Sequence, residues 1–221
     1  MCGRFAANIP AEEIKQLFNL MAVPQLEPRY NVTPSQLVAV VRNQGDQNRL
    51  DLLKWGLVPG WAKEPGIGSH LINAHCETVY EKPAFRHAIK YRRCIIPASG
   101  FYEWEHSGEH HKQPWFFQMS DQSPMCLAGL WESWKAPDGS ELETFAVMTT
   151  AANSLVAPIH EHMPVILHPD SFTLWLSHNM HDLELLQPSY QPYPAAAMIA
   201  SKVSDLVNNP HYDSADCLAE I

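Results

Sequence analysis

The sequence predicts an α+β fold: a single domain with a mainly antiparallel, distorted barrel-like β-sheet and a few short peripheral helices. Short runs of β-branched and aromatic residues recur along the chain between Gly, Pro, Asn and Asp, which is typical of short strands joined by turns. Helical spacing of apolar residues occurs only in short segments. The length of 221 residues fits one large domain. With no internal repeat or linker composition, residues 2–221 are assigned to one domain.

The first half predicts a helix, a hairpin and an aromatic loop. Pro10 opens the helix, with acidic residues in its first turn and apolar residues on one face. A strand at 36–42 returns through the Gly45–Asp46 turn into a second strand at 49–53. Glycines, a proline and two tryptophans within 54–61 predict an irregular loop that presents aromatic rings. Two further expectations are a polar loop at 29–34 and a short helical segment at 85–90.

The second half predicts mostly strands. The apolar run 93–97 indicates a buried strand, and a Ser-Gly turn leads into the next strand at 101–105. Alternation along that strand places Tyr102 and Trp104 on one face and Glu103 on the other. We also expect strands at 115–117, 125–131, 145–149, 165–167 and 197–203, helices at 151–156 and from Pro169, and a hairpin tip at 106–112.

Composition favours a protein of the reducing cytoplasm. Hydrophobic residues make up 46% and charged residues 18%, and no apolar run or secretory leader indicates a membrane or export route. The cysteines are odd in number, widely spaced and without a Cys-x-x-Cys pair, which argues against disulfides and a structural zinc site. They are Cys2, Cys76, Cys94, Cys126 and Cys217.

The net charge of −9 argues at first against binding nucleic acid. The charge is unevenly distributed, however, because 13 of the 15 Lys and Arg residues precede residue 121. A basic surface therefore has to be built from the first half of the chain.

Cys2 has the most distinctive chemistry in the sequence. Trimming of Met1 before a small residue leaves Cys2 with a free α-amine beside its thiol. Their reference pKa values of about 7.7–8.0 and 8.5 make both groups partly nucleophilic near neutral pH. Such a 1,2-aminothiol traps aldehydes, because the amine forms a Schiff base that the thiol closes into a thiazolidine. The alternative is an incidental residue on a frayed terminus.

Three other side chains suit proton transfer or orientation. Glu103 lies between two aromatic residues, which predicts desolvation and a raised pKa; the alternative is a surface glutamate. Asn73 can donate and accept hydrogen bonds without changing charge; the alternative is a turn residue. His160 precedes a Pro-anchored apolar run and can shuttle protons; the alternative is a structural histidine.

Cations alternate with aromatic residues in the first half, as with Arg4, Arg29, Trp61 and Arg86. This mixture is typical of a groove for single-stranded nucleic acid, where bases stack and phosphates need positive charge. The alternative is buried aromatics and solvated cations. Several histidines also raise the question of a metal site. Those in 106–111 lack other ligands at suitable spacing. His160 and His162 would lie on the same face of a strand, which is compatible with binding a metal. We expect no metal and no cofactor.

Seven segments carry a resemblance to a known family. They are MCGRF, RYNVTP, WGLVPGW, INAHCET, RRCIIPASGFYEW, IHEHMPVIL and VNNP, in this order. Together they resemble the SOS-response-associated peptidase family over about residues 2–210, a family also known for sensing abasic sites in single-stranded DNA. The resemblance implies a distorted antiparallel barrel and a thiazolidine between Cys2 and the open-chain aldehyde of an abasic site. That crosslink shields the lesion during replication.

The resemblance also implies site residues. Cys2 matches the crosslinking cysteine, and Asn73, Glu103 and His160 match catalytic positions. The DNA-binding candidates are Arg4, Arg29, Asn31, Trp61, His75, Arg86 and His162. The family usually has arginine in place of His75 and commonly in place of His162, so this chain has fewer fixed charges there.

We therefore predict a lyase-like enzyme whose peptidase-type self-processing is limited to Met1 or absent. The expected partners are single-stranded DNA with abasic sites and the replication machinery, with a monomer in the cytoplasm that associates with the nucleoid when bound to DNA. One alternative is a cysteine peptidase or amidase that uses Cys2 and His160. Another is a noncatalytic module that binds intact and abasic strands equally.

Overall fold

A computed structural model describes residues 2–45, 47–107, 111–180 and 182–221. The strands are β1 (Phe5–Ala7), β2 (Arg29–Val32), β3 (Leu37–Gln44), β4 (Gln47–Trp55), β5 (Asn73–His75), β6 (Arg93–Ala98), β7 (Gly100–Ser107), β8 (His111–Met119), β9 (Met125–Lys135), β10 (Glu141–Ala151), β11 (His162–Pro164) and β12 (Met198–Lys202). The α-helices are α1 (Ala11–Leu17), α2 (Ala88–Tyr91) and α3 (Phe172–Leu176). Short 3-10 helices span Pro65–His70, Pro169–Ser171, Leu183–Tyr190, Ala195–Ala197, Asp205–Asn208 and Ala215–Leu218.

Five strands close into a ring. β10 pairs with β9 and β4, β4 pairs with β3, β3 pairs with β6, and β6 returns to β9. Every pairing in the ring is antiparallel except that of β10 with β4. Gly129 permits close approach inside the ring, because a Cβ there would lie 2.4 Å from Ile96 Cδ1 and 2.9 Å from Cys94 Sγ. The predicted barrel-like α+β fold is confirmed.

A second sheet lies against the ring, in the order β12-β8-β7-β1-β2. Large aromatic side chains from both sheets form one apolar cluster, which includes Phe5, Trp55, Phe101, Phe117 and Phe145. Another cluster joins the ring to the helices. The amino-terminal strand is thus sandwiched between β2 and β7, which brings the start of the chain to the junction of the two sheets.

β10 also extends beyond the ring and carries two short strands. β5 pairs with it in parallel, Asn73 opposite Val147. β11 pairs with it antiparallel, His162 opposite Ala151. Two segments far apart in sequence therefore flank the carboxyl end of one strand.

Most of the predicted elements are confirmed. The expected aromatic loop at 54–61 exposes Trp61 but not Trp55, which is buried at the end of β4. Three other expectations are wrong. The expected loop at 29–34 contains β2, because Val32 and Arg29 pair with β1. No helix forms at 151–156, since Asn153 Oδ1 accepts the N–H groups of Leu155 and Val156 and holds a turn. The strand expected at 165–167 lies earlier, as β11, and continues only through a bridge between Leu127 and Ile166.

Other expectations fall partly outside the described chain. β7 and β8 form the expected hairpin, with Ser107 opposite His111, while its tip residues 108–110 lie outside the described residues. Removal of Met1 also concerns a residue outside them. Among the helices that the structure does describe, none has the length and apolar character to cross a membrane.

Candidate active site

Cys2 lies inside the fold and not on a frayed terminus. The carbonyl of Arg4 accepts the N–H of Tyr102 at 3.0 Å, and Phe5 pairs with Phe101, so β1 holds the start of the chain against β7. The Cys2 side chain is fully buried. Burial, and secondly the nearby charge of Glu103, raise the pKa of the Cys2 thiol well above its usual range. The thiol is therefore protonated at neutral pH.

Glu103 is buried in β7, close enough to Cys2 for its charge to act on the thiol. The predicted alternation is confirmed, because the rings of Tyr102 and Trp104 lie 6.5 Å apart on the opposite face, in a separate apolar cluster. The Glu103 side chain is 4% exposed, and burial raises its pKa from 4.5 to about 7. Both its protonated and ionised forms are populated near neutral pH, which suits general acid–base catalysis.

Asn73 lies in β5 and not in a turn, with an exposed fraction of 7%. Neither its Oδ1 nor its Nδ2 has a hydrogen-bond partner among the described residues. An unpaired buried amide costs about 1–3 kcal/mol for each group. Such a cost is expected where a bound molecule completes the hydrogen bonds.

His160 is held by the backbone just before β11. Its Nδ1 lies 3.0 Å from both the backbone N and O of His162, so the ring is tethered through Nδ1. Burial is the main cause that lowers the pKa of His160 below its usual value. A neutral, fixed imidazole is able to accept a proton at neutral pH.

The fold brings these groups to one region. Cys2 belongs to the apolar cluster against which Ile72 and Ile159 pack, and these residues immediately precede Asn73 and His160. An open cavity of about 650 Å³ adjoins His160, lined by His75, Glu77, Thr78, Lys82, His160, Glu161 and His162. Sequence reasoning singled out the three histidines of this lining. It did not single out Glu77, Thr78 and Glu161, although they lie within the segments INAHCET and IHEHMPVIL, nor Lys82, which lies in none of the seven segments.

The DNA-binding candidates divide into two groups. Trp61 is 61% exposed and Arg86 is exposed, so both are accessible to a ligand. The Trp61 loop is held in place because Trp134 Nε1 donates to the carbonyl of Ala62 at 2.7 Å. His75 and His162 line the cavity beside His160.

Arg4, Arg29 and Asn31, in contrast, bind the carboxy-terminal segment of the chain. Asn31 is fully buried; its Nδ2 donates to the carbonyls of Val207, Asn209 and Tyr212, and its Oδ1 accepts from Arg4 at 2.6 Å. Asp213 accepts the backbone N–H groups of residues 30 and 31 and pairs with Arg29. These three side chains make most of their described hydrogen bonds within the fold. The sequence did not predict that they would hold the carboxy-terminal segment in place.

The fold agrees with the comparisons to known proteins. The family model for SOS response associated peptidase (SRAP) matches residues 1–210. This chain belongs to the SRAP family. It is 42% identical over 221 residues to the abasic site processing protein YoqW of Bacillus subtilis, covering 99% of both chains.

Two further relatives extend the comparison. The abasic site processing protein YedK of Escherichia coli is 32% identical over 182 residues, covering 80% of this SRAP chain and 79% of YedK. A crystal structure of a protein from Bacteroides thetaiotaomicron covers all of both chains at 25% identity, with a TM-score of 0.88.

Proposed function

We propose that this SRAP protein captures abasic sites in single-stranded DNA as a covalent thiazolidine on Cys2. The observation that carries the proposal is that Cys2 is held inside the fold near a carboxyl group whose pKa is about 7. The names of YoqW and YedK, abasic site processing proteins, support the substrate. The aldehyde of a ring-opened abasic deoxyribose supplies the electrophile that an aminothiol requires.

The reaction proceeds in two additions. Removal of Met1 frees the Cys2 α-amine, which adds to the aldehyde carbon to give a carbinolamine. Loss of one water leaves an iminium ion. The Cys2 sulfur then adds to the same carbon, its proton is lost, and the thiazolidine closes. Glu103 carries protons in both stages, as the acid for the departing water and as the base for the thiol.

The raised pKa of the thiol fixes this order. A protonated thiol is a weak nucleophile, so the amine attacks first and the sulfur follows once the iminium carbon lies next to it. A cysteine peptidase instead needs a thiolate as its first nucleophile. The burial of Cys2 therefore favours the crosslinking reaction over peptidase or amidase activity.

Asn73 and His160 complete the site in this proposal. The unpaired amide of Asn73 binds the Cys2 nitrogen and the carbinolamine hydroxyl. His160, neutral because of its lowered pKa, takes the hydroxyl proton of the closed sugar and promotes ring opening.

Single-stranded DNA is bound in this proposal by the accessible side chains. Trp61 stacks on a base, and Arg86 pairs with a phosphate. His75 and His162 face the lesion from the cavity wall. Arg4, Arg29 and Asn31 contribute by holding the carboxy-terminal segment in place.

The test is to mix the protein with single-stranded DNA that contains one abasic site and to run a denaturing gel. We expect a heat-stable shifted band that is absent with intact DNA and absent in Cys2→Ala. Cys2→Ser keeps the amine and should give a band only after borohydride reduction. An adduct whose intact mass lacks Met1, equals protein plus DNA minus one water and does not change on borohydride treatment would identify the thiazolidine, because the imine of the same mass would gain two hydrogens.

Three results would overturn the proposal. A noncatalytic module would bind intact and abasic strands equally and release both on denaturation. A peptidase would turn over peptide substrates and form no DNA adduct. Full crosslinking by Cys2→Ala would likewise exclude the assigned nucleophile.

A further inference from the structure

Two histidines and a glutamate meet in the cavity that His160 also lines. The rings of His75 and His162 lie with their centroids 5.0 Å apart. Together with Glu77, each offers one ligating atom, and these three atoms all lie within 4.8 Å of one another. These side chains of the described chain are therefore able to ligate a metal ion together, although His162 is far in sequence from His75 and Glu77.

The backbone fixes the two histidines. His75 is paired opposite Thr149 on β10, and His162 opposite Ala151 on the same strand. Because β5 and β11 are both anchored to β10, the two imidazoles are held by strand pairing and not by flexible loops. Glu77 follows β5 by two residues, and its side chain is 48% exposed, so its carboxylate has room to rotate.

Neighbouring side chains orient both rings. His75 Nδ1 lies 2.9 Å from the hydroxyl of Thr149, which leaves Nε2 as the ligating nitrogen. His162 Nδ1 lies 3.7 Å from the Glu161 carboxylate, and its Nε2 lies 3.4 Å from that of Glu77. A hydrogen-bonding or charged group on the second ring nitrogen is the usual companion of a metal-bound histidine.

The chemistry of the three ligands indicates which metal ion the site would bind. Two imidazoles and one carboxylate suit Zn²⁺, whereas Mg²⁺ prefers oxygen ligands and retains its waters. Tetrahedral zinc with bonds of about 2.1 Å holds its ligands roughly 3.4 Å apart. Rotation of the Glu77 side chain and small movements of the two rings would bring the ligating atoms from within 4.8 Å of one another to this spacing. The carboxylates of Glu77 and Glu161 offset the charge of Lys82, which lines the same cavity.

We propose that His75, Glu77 and His162 form a zinc site whose fourth coordination position opens to the cavity beside His160. Three protein ligands with an open position are the arrangement of catalytic zinc sites. Water, or an anionic oxygen of a molecule in the cavity, occupies that position. The ion would supply a fixed positive charge at the two positions where this chain has His75 and His162 and the family commonly has arginine.

Zinc titration by calorimetry tests the site, with the Cys2→Ala protein used so that the terminal aminothiol does not compete. We expect one ion per chain. His75→Gln and His162→Gln, which keep polar side chains of similar size, should each weaken binding by roughly 100-fold, and Glu77→Gln by about tenfold or more. His168→Ala is the control, because His168 is an exposed histidine 3.9 Å from Asp170 in another part of the surface. It should bind zinc unchanged.

Cobalt substitution identifies the ligands. We expect weak visible bands of Co²⁺ without the strong near-ultraviolet band of a cobalt–thiolate bond. That band, with its loss in Cys76→Ser, would assign the ion to Cys76 and overturn the proposal. So would no zinc binding, equal affinity for Mg²⁺, or zinc binding unchanged in folded His75→Gln and His162→Gln proteins.

Discussion

Replacing Glu103 by glutamine should stabilise the fold above neutral pH and slow abasic-site capture. The pKa of Glu103 is about 7 in the folded protein against an ordinary value of 4.5, because the carboxyl is buried. Between these values the folded chain holds a proton that the unfolded chain has lost. The contribution of Glu103 to the stability of the fold is therefore fully present below pH 4.5 and is lost as the pH rises through 7.

The magnitude follows from the two pKa values. Their difference corresponds to about 3 kcal/mol of lost stability once the pH is well above 7. Glutamine keeps the shape and never ionises, so Glu103→Gln should be more stable than the parent by up to about that amount at pH 8.5. For a chain of this size, the midpoint of thermal unfolding should rise by roughly 6–12 °C. At pH 5 the gain should fall below about 1 kcal/mol.

Chemical denaturation at pH 5 and pH 8.5 measures this difference, and the crosslinking gel measures the rate. Glu105→Gln, on the same strand and face, is the matched control; its half-exposed carboxylate accepts from Trp115 Nε1, and its change should be small at both pH values. The crosslinking rate of Glu103→Gln should drop by about 100-fold or more. An equal stability gain at both pH values would refute the burial argument, and an unchanged rate would refute the proton-transfer role.

Three other substitutions separate function from structure. Asn73→Ala should slow crosslinking at least about tenfold and leave stability within about 1 kcal/mol, because it removes two unpaired buried groups; a large loss in urea denaturation would contradict this. Trp61→Ala should weaken binding to single-stranded DNA by about 1–3 kcal/mol in fluorescence anisotropy without shifting the melting temperature. Asn31→Ala should cost about 3 kcal/mol or more in stability, since it removes one acceptor of Arg4 and the donor to the carbonyls of Asn209 and Tyr212. A full-stability Asn31→Ala protein with lost DNA binding would show a direct contact instead.

Local patterns carried much of the fold prediction. The β3–β4 hairpin and the alternation around Glu103 depend on neighbouring residues, so periodicity was sufficient to predict them. β2, β5 and β11 were missed or displaced because each is defined by a distant partner strand and not by its own composition. The helix predicted at 151–156 is a turn instead, because the side chain of Asn153 accepts backbone N–H groups of the two residues that follow Ser154.

The sequence alone determined which chemistry the proposed site would offer: an aminothiol at Cys2 once Met1 is removed, an acid at Glu103, an amide at Asn73 and an imidazole at His160. Only the tertiary structure decided the state of these groups, because burial depends on residues far away in the chain. It raises the pKa values of Cys2 and Glu103, and the buried Asn73 amide has no hydrogen-bond partner in the part of the chain that the structure describes. Long-range pairing to β10 likewise joined His75 to His162, which no spacing along the chain indicated.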